Sequence, residues 1–169
     1  MGKSSMSRAA LQAAVLFIIG ILLGIITKLL DIYTTNIGNV FSQMSVWIFL
    51  CTVIAIYSKT AFKAAANVFA FCIGMVAAYY MTALLTASVY SSMFVWGWSL
   101  FAVFTLALGF IAWHAKGKGF ISWMIAICIL LGMLAAAVLL FDRIRISDIA
   151  FAALTGAVLF RSRAVTIHR

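Results

Sequence analysis

The sequence lacks proline and glutamate, and aspartate is its only acidic residue type, present three times among 169 residues. Charged residues make up 9% of the chain, whereas an ordinary soluble domain has about 25%. The scarcity of charge argues against a soluble globular domain. The absence of proline argues against a transporter whose spans are broken by proline.

Catalytic and metal-binding patterns are also missing. Without glutamate there is no H-E-x-x-H motif, and the sequence shows no carboxylate dyad and no Ser/His/Asp set. Cys51, Cys72 and Cys128 each stand alone in an apolar run, and His114 and His168 are far apart. We therefore predict a protein that is not an enzyme and that holds neither a metal nor a cofactor.

What the chain does contain is hydrophobic sequence, which accounts for 67% of its residues. Apolar runs of about 20 residues recur, and each is long enough to cross a hydrocarbon layer of about 30 Å. The pattern predicts an all-α, polytopic transmembrane helical bundle that forms one integral membrane domain over residues 1–169. Its six predicted spans cover residues 9–28, 40–57, 62–86, 95–113, 120–141 and 146–160.

The basic residues predict the orientation of these spans. With the N-terminus in the cytoplasm, the inner segments carry basic residues and no carboxylate, and these residues are Lys3, Arg8, Lys59, Lys63, Lys116, Lys118, Arg161, Arg163 and Arg169. The outer segments balance their charges, with Lys28, Arg143 and Arg145 beside Asp31, Asp142 and Asp148. The positive-inside rule therefore places both termini in the cytoplasm. Because the basic residues stand in ones and twos at span ends, a nucleic-acid partner is not expected.

Two segments are less regular. Residues 30–39, LDIYTTNIGN, are too polar for a span and too long for a tight turn. A surface loop, a short interfacial helix and a partial re-entrant segment all fit them. The last predicted span, 146–160, is about 22 Å long as a helix and therefore short for a bilayer.

The stretch FDRIRISDIA, residues 141–150, concentrates charge in an otherwise apolar region. Asp142, Arg145 and Asp148 are spaced for ion pairs in a helical turn, and Ser147 and Asp148 suit the start of the sixth span. One interpretation is a neutralised lip that keeps this hairpin out of the lipid. The other is one wall of an outward-facing binding site.

Lys28 and Asp31, one helical turn apart, would form a second wall of such a site. Tyr79 and Tyr80 lie toward the outer half of the third span and either line a pocket or reach the headgroups. The predicted ligand-binding residues are Lys28, Asp31, Tyr79, Tyr80, Trp96, Asp142, Arg143, Arg145 and Asp148.

Other residues are better suited to helix packing. Gly20 and Gly24 form a G-x-x-x-G motif that lets two helices approach closely. Asn67 is a polar group inside a span, where interhelical hydrogen bonding is the commonest use. We predict packing roles for these three residues.

The segments GILLGIITKLLD, VWIFLCTVIAIYSKTAFKAAANVF, GMVAAYY and WHAKGKG resemble a family of small bacterial multi-pass membrane proteins of unknown function. That resemblance implies a bacterial plasma membrane and no mechanism. More loosely, six short spans in about 170 residues look like the substrate-binding subunits of energy-coupling-factor importers. Those proteins bind a small molecule near the outer face and use small residues of the first helix to contact a partner subunit, a pattern that Ala9/Ala13 and Ala10/Ala14 match.

Two functional hypotheses follow. The first is a non-catalytic component of the lipid bilayer that binds or transports a small-molecule ligand through an outward-facing pocket. The alternative is an accessory or assembly subunit that packs against another membrane protein. The sequence does not separate them.

Overall fold

The computed structural model describes residues 3–34, 36–41, 43–88 and 92–167, and every regular element within these ranges is a helix. Its helices are α1 (Lys3–Tyr33), α2 (Asn36–Phe41), α3 (Met44–Tyr57), α4 (Ala61–Leu85), α5 (Ser92–His114), α6 (Phe120–Phe141) and α7 (Ile146–Ile167). Four segments are long and apolar enough to cross a membrane, namely Arg8–Tyr33, Ala61–Leu85, Val95–His114 and Phe120–Phe141. The all-α class and the membrane-spanning character are thereby confirmed. The count of six spans and the orientation of the termini stay predictions.

Two helices of the structure continue past the end of the apolar run that predicted them. α1 continues to Tyr33 instead of ending at residue 28, and α7 continues to Ile167 instead of ending at residue 160. Neither extension contains proline or glycine, so nothing in the backbone stops the helix where the apolar run ends. A polar residue ends a hydrophobic stretch without ending a helix.

The irregular segment 30–39 is helical over most of its length. Leu30–Tyr33 complete α1, and Asn36 begins the short α2. Thr34 joins the two helices, because its Oγ1 donates to the Leu30 carbonyl at 2.7 Å and accepts from the Gly38 N–H at 3.0 Å. A Cβ at Gly38 would lie 2.6 Å from that same carbonyl oxygen, so glycine is required there. Of the three predicted alternatives, the surface loop is wrong.

Residue contacts divide the chain into two compact units, and the first comprises Met1–Phe41 and Ala65–Leu108. Here α1 packs along α4 with almost no space between the backbones. Gly20 lies against Phe71 and Met75, and Gly24 lies against Met75 and Ala78. Since contacts advance along both helices together, α1 and α4 run parallel.

The second unit comprises Ser42–Ala64 and Gly109–Arg169, and its core joins α3, α6 and α7. The rings of Phe49 and Phe151 lie 5.7 Å apart, and Ile56 shares a buried cluster with Leu159. These contacts also advance together, so α3 and α7 run parallel. The hairpin after Phe141 makes α6 antiparallel to α7, and the rings of Trp123 and Phe160 meet at 5.6 Å.

Candidate functional site

The first polar cluster lies in the first unit, at the ends of α1 and α4. Lys28 is only 3% exposed, and its Nζ lies 2.9 Å from Asp31 Oδ2. Tyr79 donates its hydroxyl to the same oxygen at 3.1 Å, and the Lys28 Nζ lies 5.2 Å from the centre of the Tyr79 ring. We call Lys28, Asp31 and Tyr79 the Asp31 cluster. One carboxylate oxygen thus connects two parallel helices.

The Asp31 cluster is asymmetric in its access to the surroundings. The Lys28 side chain is 4% exposed, whereas that of Asp31 is 35% exposed. Both described hydrogen bonds to Asp31 end on Oδ2, and no bond among the described residues reaches Oδ1. The cluster therefore offers a fixed, partly accessible carboxylate oxygen that can accept a further hydrogen bond.

Tyr80 and Thr27 are adjacent in sequence to residues of the Asp31 cluster. Tyr80 stacks edge-on against Tyr79, with ring centres 5.2 Å apart. The Thr27 hydroxyl, adjacent to Lys28 in sequence, is buried and finds no hydrogen-bond partner in the described part of the chain. A buried hydroxyl without a partner is unusual, since most such groups are satisfied.

The structure does not bring every predicted residue of the first unit to this cluster. Trp96 is 77% exposed on α5, and no described contact links it to Lys28, Asp31 or Tyr79. Gly20 and Gly24 lie on the same face of α1 as the cluster and set its close approach to α4. Asn67 is buried on α4, as a polar group in a helix interface would be.

A second polar cluster lies in the second unit, where α3 and α7 begin. Asp148 is 2% exposed and accepts hydrogen bonds from the Ser45 hydroxyl and from the Arg145 backbone N–H, the latter at 2.9 Å. Gln43, also 2% exposed, has both amide atoms satisfied in one orientation. In that orientation its nitrogen donates to Ser147 Oγ at 2.7 Å and Asp148 Oδ1 at 3.2 Å, and its oxygen accepts from Arg145 Nη1 at 2.8 Å.

Asp148 therefore acts as a helix cap. It lies in the first turn of α7 and binds back to the N–H of Arg145, which directly precedes the helix; this is half of a capping box. The predicted capping role of Ser147 is wrong, because its side chain pairs with Gln43 instead.

The helical turn that would bring Asp142, Arg145 and Asp148 into ion pairs does not form, because residues 142–145 lie between α6 and α7. Within the described ranges the one ion pair is Lys28–Asp31. Asp142 ends α6 with φ of 57°, a left-handed conformation that aspartate tolerates, and both Asp142 and Arg143 are exposed. Arg145 reaches inward instead, with its guanidinium 5.5 Å from the centre of the Phe141 ring.

Sequence reasoning missed a third polar arrangement, at the C-terminal end of α3. Trp113 Nε1 donates to the Ser58 carbonyl at 2.9 Å, and Lys116 Nζ donates to the carbonyls of Ile56 at 2.8 Å and Ser58 at 3.0 Å. Lys116 also lies 4.5 Å from the centre of the Trp113 ring. A cation at a helix C-terminus satisfies its last carbonyls, and burial lowers the pKa of this ammonium below its ordinary value.

No set of three histidine, cysteine, aspartate or glutamate side chains that could hold a metal ion occurs in the described residues. No family model, no curated protein and no solved structure matches the chain. The resemblance to small bacterial multi-pass proteins and to energy-coupling-factor subunits stays a prediction.

Proposed function

We propose that the chain is a bacterial plasma-membrane protein with six spans and both termini in the cytoplasm. Alternate crossing requires the first and third spans to be parallel, as well as the second and sixth. The parallel pair α1 and α4 supports the first requirement, and the parallel pair α3 and α7 supports the second. The excess of basic residues in the inner segments supports the orientation.

Within that topology, we propose a non-catalytic component that binds or transports a small polar molecule at the Asp31 cluster. The observation that carries this proposal is a buried ammonium inside an apolar span, paired with a carboxylate that is itself 35% exposed. Ionisable groups inside spans are costly and usually mark a pathway or a binding site.

The geometry also suggests the chemistry of the ligand. Asp31 Oδ2 is held by Lys28 and Tyr79, which leaves Oδ1 as the acceptor presented to the surroundings. Because the charges of Lys28 and Asp31 cancel, a neutral molecule rich in O–H or N–H donors fits better than an ion. The neighbouring Tyr79 and Tyr80 rings would provide a flat apolar surface for it.

Ligand-induced stabilisation tests this proposal. We expect a donor-rich metabolite from a broad panel to raise the melting temperature of the detergent-solubilised protein, because binding to the folded state alone stabilises it. Asp31→Asn should abolish the shift, since it removes the charged acceptor, and Tyr79→Phe should weaken it. Tyr33→Phe removes a hydroxyl from a tyrosine that is 77% exposed at the end of α1, and should leave the shift intact. The absence of any shift across the panel, together with native mass spectra free of small adducts, would refute the proposal.

A specific observation favours the alternative role as an accessory subunit. The small residues Cys128, Gly132 and Ala135 are all exposed on α6 at a spacing that puts them on one helix face. Small residues on a lipid-facing surface allow another helix to approach closely. A complex with a second membrane protein in native mass spectra, dissociated by Gly132→Leu and lacking any small adduct, would favour this role.

A further inference from the structure

The second unit has one end with positive charge and no carboxylate. Lys59 and Lys63 follow α3, Lys118 precedes α6, and Arg161 lies on the last turns of α7. Lys59, Lys118 and Arg161 are exposed, and Lys63 is half-buried. We call these four residues the basic rim. The carboxylates of this unit, Asp142 and Asp148, lie at the opposite ends of α6 and α7, about 30 Å away along a helix of this length.

Contacts beneath the surface bring the basic rim together. Ile56, Ala115, Ala126 and Leu159 form one buried cluster, so the end of α3, the turn before α6 and the last part of α7 meet there. Lys59, Lys118 and Arg161 are each within three positions of a member of this cluster, and Lys63 is seven positions from Ile56. The hydrogen bonds from Trp113 and Lys116 to the Ser58 carbonyl fix the turn to α3.

The turn before α6 contains two lysines that lie in different environments. Lys116 points inward to the α3 carbonyls, whereas Lys118, between two glycines, is exposed. Gly119 has φ of 108°, and a Cβ at Gly117 would lie 2.7 Å from the Ser122 hydroxyl. Gly119 is therefore needed for the tight turn that presents Lys118 outward, and Gly117 lies close against the Ser122 side chain.

Aromatic side chains accompany the basic rim on the same segments. Tyr57 is 71% exposed, Phe62 is 80% exposed, Phe120 is 78% exposed and Trp123 is 48% exposed. Aromatic rings beside lysine and arginine are typical of the boundary between hydrocarbon and headgroups.

From this juxtaposition we propose that the basic rim binds the headgroups of anionic phospholipids in the leaflet that it faces. The positive charges complement the lipid phosphates, and the aromatic rings place them at headgroup depth. Basic residues near an anionic membrane surface contribute about 1 kcal/mol each, which corresponds to about a fivefold change in binding. This inference does not depend on the small-molecule site.

Lipid competition tests the proposal. The purified protein is mixed with equal amounts of phosphatidylglycerol and phosphatidylcholine, and the bound lipids are counted by native mass spectrometry. We expect a preference for phosphatidylglycerol that falls about fivefold in each of Lys59→Gln, Lys118→Gln and Arg161→Gln. The preference for phosphatidylglycerol should be lost in the triple variant. It should be kept in a variant in which Lys59 and Lys118 are replaced by arginine instead of glutamine. Arg143→Gln removes an equal charge at the other end of α6 and should change little.

Three results would overturn the proposal. One is a wild-type protein that binds both lipids equally. Another is a triple variant that keeps its preference while its circular dichroism spectrum and melting temperature match the wild type. The third is displacement of the lipid by a polyglutamate peptide with higher affinity, which would assign the basic rim to an acidic protein partner.

Discussion

At the scale of single residues, the decisive contacts are made by glycines, which have no side chain and let two backbones touch. Gly20 and Gly24 leave the α1 backbone against the α4 backbone, and this proximity allows Tyr79 to reach Asp31. At Gly24 a Cβ would collide with the Met75 carbonyl oxygen, which cannot move without displacing α4. The packing glycines and the Asp31 cluster are therefore parts of one interface.

Alanine substitution at two glycines distinguishes the effect of close helix packing on stability from the effect of helix propensity. We expect Gly24→Ala to destabilise the protein by about 1–3 kcal/mol, as overpacking does, and to lower its melting temperature in detergent. Gly132 is also in mid-helix, but it has open space around it, so Gly132→Ala should be neutral or stabilising by up to about 1 kcal/mol. Equal effects of the two substitutions would contradict the close packing of α1 on α4.

The pair Lys28 and Asp31 shows how far the sequence can predict a site. Their spacing of three residues places both on one helix face, and the structure joins them. Tyr79 was a candidate only because of its depth in the third span, since 48 residues separate it from Asp31. Contacts over such a separation depend on which helices pack together, and a single sequence with uniformly apolar spans leaves that choice open.

At the scale of elements, the start of α7 is the clearest departure from expectation. The charged hairpin predicted either an exposed lip or a pocket wall, yet Asp148 is buried and caps its own helix. Ser45, whose hydroxyl Asp148 accepts, had no distinguishing signal in the sequence. A small polar residue in an apolar helix cannot be assigned a role from sequence, because that role depends on which residue of another helix it contacts.

Matched amide substitutions measure the contribution of this cap. Asp148→Asn should cost about 1–3 kcal/mol of stability, because the donors of Ser45, Gln43 and Arg145 lose a charged acceptor in a buried site. Asp142→Asn makes the same chemical change at an exposed, left-handed position that asparagine also tolerates, and should stay within about 0.5 kcal/mol. Chemical unfolding in mixed micelles provides both values, and a larger loss at Asp142 would contradict the structure.

At the scale of the whole molecule, apolar length predicted the helices well and their ends poorly. Each predicted span corresponds to a helix of the structure, because about 20 apolar residues in a row leave few alternatives. Two of these helices, α3 and α7, are not among the four membrane-crossing candidates, and α3 (Met44–Tyr57) is also the shorter of the two. The predicted span 40–57 runs through Gln43 and Ser45, whereas α3 begins at Met44, beside the polar contacts of these two residues.

Cysteine labelling tests the proposed topology. In a variant lacking Cys51, Cys72 and Cys128, single cysteines are placed at exposed Arg143 and Lys118. We expect a membrane-impermeant maleimide to label Arg143→Cys in intact cells, and to label Lys118→Cys only after permeabilisation. The reverse labelling pattern would show that the orientation is opposite to the proposed one. Labelling of both sites from outside would show that α6 does not cross the membrane.

The contacts between Ser45 and Asp148 also have a consequence for biosynthesis. Their partners are 103 residues apart, so the start of α3 leaves the ribosome well before the chain that satisfies it. At about 5–20 residues per second, this delay is about 5–20 s. During that interval Gln43 and Ser45 lack the hydrogen-bond partners that they have in the folded protein. Insertion of the last hairpin is then the step that completes the polar contacts at the start of α3.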